Sequence, residues 1–146
     1  MEKGMSFLQA EYFHLQKTVE SFDERALTIK GWSVTVSMFG IGAAYLQHVP
    51  YLLLLLSSGS ALLFWIIEAL WKTFQRAFSL RLEEMERYLN GESTEQEFRY
   101  PYISLSWSAH WRSMSFLQVF FWPHVFLPHL IILLVGIILF FIGGRG

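Results

Sequence analysis

Tyr51-Leu52-Leu53-Leu54-Leu55-Leu56-Ser57-Ser58-Gly59-Ser60-Ala61-Leu62-Leu63-Phe64-Trp65-Ile66-Ile67-Glu68-Ala69-Leu70-Trp71 contains a single charge, Glu68. A helix rises ~1.5 Å per residue, so a run of this length covers the ~30 Å of bilayer hydrocarbon. A surface helix of a soluble domain would carry a polar face along its whole length. This stretch predicts an all-α membrane protein.

Two further apolar runs flank it. One covers 31–48 and has no charge after Lys30. The other covers 116–142, where only His124 and His129 are titratable. The expected organisation is therefore one membrane domain over 1–146. It comprises a cytoplasmic amphipathic helix at 1–30, a first span at 31–48, and a second at 51–71 that continues as a cytoplasmic helix to 90. An interfacial or cytoplasmic segment follows at 91–115, then a third span at 116–142. Lys3, Lys17, Arg25 and Lys30 precede the first span. Lys72, Arg76, Arg81, Arg87, Arg99 and Arg112 separate the second from the third, and only Arg145 lies beyond the third. The positive-inside rule then places the N-terminus in the cytoplasm and the C-terminus outside.

Composition agrees. Hydrophobic residues make up 53% and charged residues 16%, well below the share of charge in a soluble domain. Aromatic residues reach 18%, which suits a chain with two membrane interfaces to anchor. There is no cysteine, so disulfides and thiolate chemistry are excluded. A net charge of −1 argues against nucleic acid as a partner. The acids Glu2, Glu11, Glu20, Asp23 and Glu24 ahead of the first span are unlike a signal peptide.

Leu8, Tyr12, Leu15, Val19, Phe22, Ala26 and Ile29 recur at alternating spacings of four and three, a heptad seam. Phe74, Phe78, Leu82, Met85 and Leu89 form a second seam. Pro50 suits a helix start and Asn90-Gly91 a helix end, which predicts one helix from about 51 to 89, ~60 Å long. A tight turn near Val49 would make the first two helices a long antiparallel hairpin extending into the cytoplasm. Its register sets Lys30 beside Glu68, Asp23 or Glu24 beside Arg76, Glu20 beside Arg81, Lys17 beside Glu83 or Glu84, and Glu11 beside Arg87. Charges flanking a seam specify register in this way. In 91–115, Ser93 to Gln96 resembles a helix cap and Tyr100-Pro101-Tyr102 a turn. Alternating Ile103, Leu105 and Trp107 read as strand. Trp107, Trp111 and Met114 read as an interfacial helix, preferred because an isolated strand has no partner.

Candidate site residues follow from charge in apolar surroundings. Glu68 is the one acid within a span, and intramembrane ionisable residues are functional candidates by default. Lys72 lies at i+4 and Lys30 is the expected neighbour, so a structural ion pair is the preferred reading. His124 and His129 are alternative ligand candidates for haem or another metal, with Pro128 between them able to alter an i, i+5 spacing that otherwise separates the rings. Gly40 with Ala44, and Ser57 to Ala61, are small enough for close helix approach. No phosphate loop and no HExxH or GxSxG motif occurs.

The phrase Phe22-Asp23-Glu24-Arg25-Ala26-Leu27-Thr28-Ile29-Lys30-Gly31-Trp32-Ser33-Val34-Thr35 resembles the entry to the first span in a family of small uncharacterised bacterial polytopic membrane proteins. Those chains carry Phe-Asp-x-Arg-x-Leu-Thr-Ile-Lys-x-Trp there. The likeness continues at Phe64-Trp65-Ile66-Ile67-Glu68 and around Pro123-His124-x-x-Leu127-Pro128-His129. It implies a bacterial membrane protein and directs attention to Asp23, Arg25, Lys30 and Glu68 as one polar cluster at the inner interface, which Lys72 joins by its i+4 spacing from Glu68; the expected location is the bacterial inner membrane. It transfers no activity.

The expected function is that of a non-enzymatic membrane protein without a cofactor. It would self-associate, or dock a partner, through its cytoplasmic arm, with an oligomeric pore or membrane effector as more specific forms. The alternative is a haem- or quinone-binding subunit, or an accessory subunit of a membrane redox complex.

Overall fold

The computed structural model describes residues 2–46, 50, 52–92, 103–113 and 115–143. Among these the chain is helical throughout, with no strand: α1 Glu2–Ala43, α2 Leu52–Leu89, α3 Ile103–Ser113, α4 Phe116–Phe120 and α5 Pro123–Gly143. Two helices, α2 and α5, are long and apolar enough to cross a membrane. Of the expected first span, 31–43 lie in the C-terminal part of α1, 44–46 follow its end and 47–48 lie outside the described residues; serine, threonine and glycine lower its hydropathy.

The long helix expected from Pro50 to Asn90 is continuous as α2. Its end is a Schellman motif: Glu92 N–H donates to Arg87 C=O at 2.9 Å and Gly91 N–H to Tyr88 C=O at 3.1 Å. Gly91 adopts φ of 74°, which suits a residue without Cβ. The segment 103–113 is helix and not strand, in keeping with the spacing of Trp107 and Trp111. The cap expected at Ser93 to Gln96, the turn expected at Tyr100-Pro101-Tyr102 and the tight turn expected near Val49 lie outside the described residues.

The chain forms two compact units. One comprises Met1–Glu24 with Trp71–Ser115, the other Arg25–Leu70 with Phe116–Gly146. Their chemistry differs. The second unit holds only Arg25, Lys30, Glu68 and Arg145 of the chain's charged residues, and the first unit holds all the others. Of the 26 large hydrophobic side chains exposed among the described residues, all but Phe7, Phe13 and Leu89 belong to the second unit. A protein surface dominated by such groups needs an apolar solvent or a partner.

In the first unit, Leu8, Leu15 and Met85 form a buried core flanked by Tyr12, Phe78, Leu82, Tyr88 and Ile103. The α2 face there differs from the expected seam. Thr73, Ala77, Arg81 and Met85 are buried, whereas Phe74, Phe78 and Leu82 are half-buried at its edge. Thr73 and Ala77 on this face are small, and the half-buried Phe74 and Phe78 flank them. Phe74 stacks on Trp111 with ring centroids 4.5 Å apart, and Trp107 lies parallel to Trp111 at 5.8 Å.

In the second unit each long helix buries one stripe. On α1 it is Ser33, Ser37 and Ile41, continued by Ala44 just past the helix end. On α2 it is Leu54, Ser58, Ala61, Trp65 and Glu68, and on α5 Val125, His129, Ile132 and Gly136. Spacings of three and four keep these residues on one face. Two close approaches set the packing: an added Cβ on Gly40 would fall 2.6 Å from Ser57 Cβ, and one on Gly136 2.2 Å from Ser58 Cβ. Gly136→Ala is therefore expected to destabilise the protein by ~1–3 kcal/mol through overpacking. Gly42→Ala, with nothing within 4 Å of its new methyl, should be neutral by comparison. Thermal unfolding of both variants in mild detergent checks this; equal midpoints would show that the α2–α5 contact is loose. Trp65 Nε1 donates to Phe120 C=O at 2.8 Å and stacks on the Phe120 ring at 4.3 Å, fixing α4 against α2.

Candidate functional site

The buried stripes of α1, α2 and α5 each carry one polar residue at the same place, and these meet. Glu68 is fully buried and His129 1% exposed. His129 Nε2 lies 3.0 Å from Glu68 Oε2, and His129 Nδ1 lies 2.9 Å from Ser33 Oγ. Lys30 Nζ is 3.0 Å from Glu68 Oε1. That approach has ion-pair distance but lies off the hydrogen-bond direction, so Oε1 accepts no hydrogen bond. Lys30 retains 22% side-chain exposure and is the one member of the group in touch with the outside.

Glu68 is thus a hub for two basic groups on two other helices. Burying a carboxylate alone costs several kcal/mol, roughly, and a paired, hydrogen-bonded carboxylate recovers much of that. The groups are those of a Ser–His–carboxylate triad with the ring nitrogens exchanged: serine lies on Nδ1 and carboxylate on Nε2, the reverse of the catalytic arrangement. A nucleophile needs a bond within reach, and Ser33 is fully buried. The arrangement joins three helices through polar contacts in a buried position.

Of the five residues expected to form one cluster, Arg25, Lys30 and Glu68 belong to the second unit and Asp23 and Lys72 to the first. Lys30 and Glu68 pair in the second unit, and Arg25 is exposed there. In the first unit Lys72 binds Asp23 and the Gln75 side chain. Of the two candidate ligand histidines, His129 has both nitrogens engaged by side chains. His124 is exposed at the start of α5, its ring 5.4 Å from that of Trp122. Among the described residues no group of three or more His, Cys, Asp and Glu is placed to hold a metal ion.

The first unit holds a second buried charge group that the sequence reading missed. Arg81 donates to Glu11 Oε1 through Nε and Nη2 at 3.3 and 3.1 Å, and through Nη1 to Glu84 Oε2 at 3.2 Å. Glu84 Oε1 lies 2.9 Å from His110 Nε2. Glu11 and Arg81 are both nearly fully buried, and Glu11 Oε2 has no hydrogen-bond partner. The expected neighbours of these residues were Arg87 for Glu11 and Glu20 for Arg81. Arg76, expected near Asp23 or Glu24, pairs instead with Glu83. The register rule took charges to flank the seam, whereas Glu11 and Arg81 lie in it. Nearby, Tyr12 donates to Glu86 at 2.9 Å. That bond, with burial and the Glu86 charge behind it, holds the phenol above its ordinary pKa.

Comparison with protein-family models, with curated proteins and with solved structures gives no match, so the chemistry of this chain rests on its own residues.

Proposed function

We propose that the chain is a bacterial inner-membrane protein of three spans, with its first two helices forming a long antiparallel hairpin. The second unit lies in the bilayer and the charged first unit in the cytoplasm, with the C-terminus outside. It acts without catalysis, by self-association or by docking a partner through the first unit, and an oligomeric pore or membrane effector is the specific form favoured. The observation that carries the reading is the partition of chemistry: nearly all exposed large hydrophobics belong to one unit and nearly all charges to the other.

In the first unit, Phe7 and Phe13 remain exposed at 47% and 65%. They supply an apolar surface on an otherwise charged body, which is what a docking face requires. The redox-subunit reading has less support, because both His129 nitrogens are already engaged by protein groups. Purified protein in mild detergent is expected to have the mass of an oligomer, and Phe13→Glu should shift it to monomer. A strict monomer in both proteins would remove the pore and leave only an accessory role. A C-terminal reporter active in the cytoplasm would overturn the topology.

A further inference from the structure

We infer that α3 is a lipid-responsive helix with two resting places: it lies on α2 when the bilayer carries no net charge, and on the headgroup layer when the lipid is anionic. The inference rests on the reading that the second unit lies in a bilayer. The partner is the anionic lipid surface itself.

The place on α2 is an incomplete one. An isolated helix shorter than ~12–15 residues is marginal in water, so the 11 residues of α3 take their stability from what they lie against. Ile103 borders the Leu8, Leu15 and Met85 core, and His110 Nε2 reaches Glu84 Oε1 at 2.9 Å. Phe74 stacks on Trp107 and Trp111, with ring centroids 5.9 and 4.5 Å away. Yet among the described side chains of α3 none is fully buried. The indole N–H of Trp107 is worse placed, because it is shut off from water and has no acceptor. A buried donor without a partner gives up its hydration for nothing, which weakens the docked state.

The same helix suits a bilayer surface. Ile103, Trp107 and Trp111 are four residues apart and share one face, and Arg112 is exposed away from it. The helix carries His110 and Arg112 and no acid. At a headgroup layer the Trp107 N–H finds oxygen acceptors, the rings settle at the edge of the hydrocarbon, and Arg112 meets anionic phosphate. Chain connection favours the move. Met114 and Ser115 alone separate α3 from α4, which belongs to the second unit, whereas residues 90–102 separate it from α2.

The test uses the full chain, which has no native cysteine, with spin labels on Arg87→Cys in α2 and Ala109→Cys in α3. Both positions are exposed. Pulsed dipolar measurement in phosphatidylcholine nanodiscs is expected to give one short distance. In discs rich in phosphatidylglycerol a second, longer distance should appear. Arg112→Gln is expected to lower the ratio of released to docked α3 about fivefold, the contribution of one basic residue at such a surface, and Arg112→Lys to restore it. Added salt should act in the same direction as Arg112→Gln. Trp107→Phe keeps a ring and removes the unpaired N–H, so it too should favour the docked place. Helix content and elution volume establish folding, and Ser104→Cys replaces Ala109→Cys if that chain does not fold. One short distance in both lipids, an equal longer population in both, or a released population indifferent to Arg112→Gln overturns the inference. Flotation with liposomes separates the two readings. A chain that floats with α3 docked in both lipids removes the lipid response alone, and a chain that does not float removes the membrane reading with it.

Discussion

Glu68→Ala is expected to lose ~3–5 kcal/mol of stability, the cost of breaking a buried pair from one side. The loss has two sources. Lys30 forfeits its counter-charge, and the His129 Nε2 position forfeits its acceptor. Snorkelling of the partly exposed Lys30 moderates the first, and nothing comparable relieves the second, because His129 is almost completely buried. Glu68→Gln keeps the shape and an acceptor, so it should lose less. Replacing Lys30 and Glu68 together with methionine should be tolerated better than Glu68→Ala, and adding His129→Leu should help further by removing the remaining unpaired polar group. Denaturant unfolding of the four variants and the unsubstituted protein in one detergent measures the series. A Glu68→Ala midpoint equal to that of the unsubstituted protein would mean that the hub does not hold the three helices together.

Arg81→Ala is expected to have an effect of similar size in the first unit. It leaves Glu11 buried with neither oxygen paired, and uncompensated charges of this kind cost ~3–5 kcal/mol. Glu84 and through it His110 lose an anchor too. The Arg76–Glu83 pair provides the contrast. Its side chains are 36% and 39% exposed, and an exposed pair contributes only ~0–1 kcal/mol. Arg76→Ala should therefore be nearly silent, and any effect it has should fade with added salt. Hydrogen exchange along α2 distinguishes the two variants: strong loss of protection around Met85 is expected for Arg81→Ala alone. Similar exchange in both would place Arg81 among the surface charges.

The helices were legible because the chain states them in several ways. The apolar run at 51–71, the long stretch without glycine or proline after Ser60, and Asn90-Gly91 all mark α2. The Lys30–Glu68 approach was legible because opposite charges at the ends of two apolar runs have few other places to go. His129 was harder. Read beside His124, it suggested a ligand pair, yet its position on α5 is seam position Val125-His129-Ile132-Gly136. Glu68 stands near the end of one apolar run and His129 near the start of the next, and consecutive runs crossing in opposite senses bring those ends to one depth. That signal was present in the sequence. The placement of Glu11 and Arg81 was not, because charged residues are almost never fully buried unless paired and a pattern of letters does not show the pair. Tyr12 reads as a better seam residue than Glu11, and it took the place of Glu11 in the heptad.

The Glu68 hub also orders the birth of the protein. Lys30 leaves the ribosome before Glu68, and His129 follows long after. On the proposed membrane reading, α2 would enter lipid with its carboxylate already matched by a counter-ion on α1. Until α5 arrives, Glu68 Oε2, Ser33 and the Ser58 notch facing Gly136 stay uncovered. On the same reading these are polar groups that only the last helix covers, so the unit would be complete only once α5 is in place.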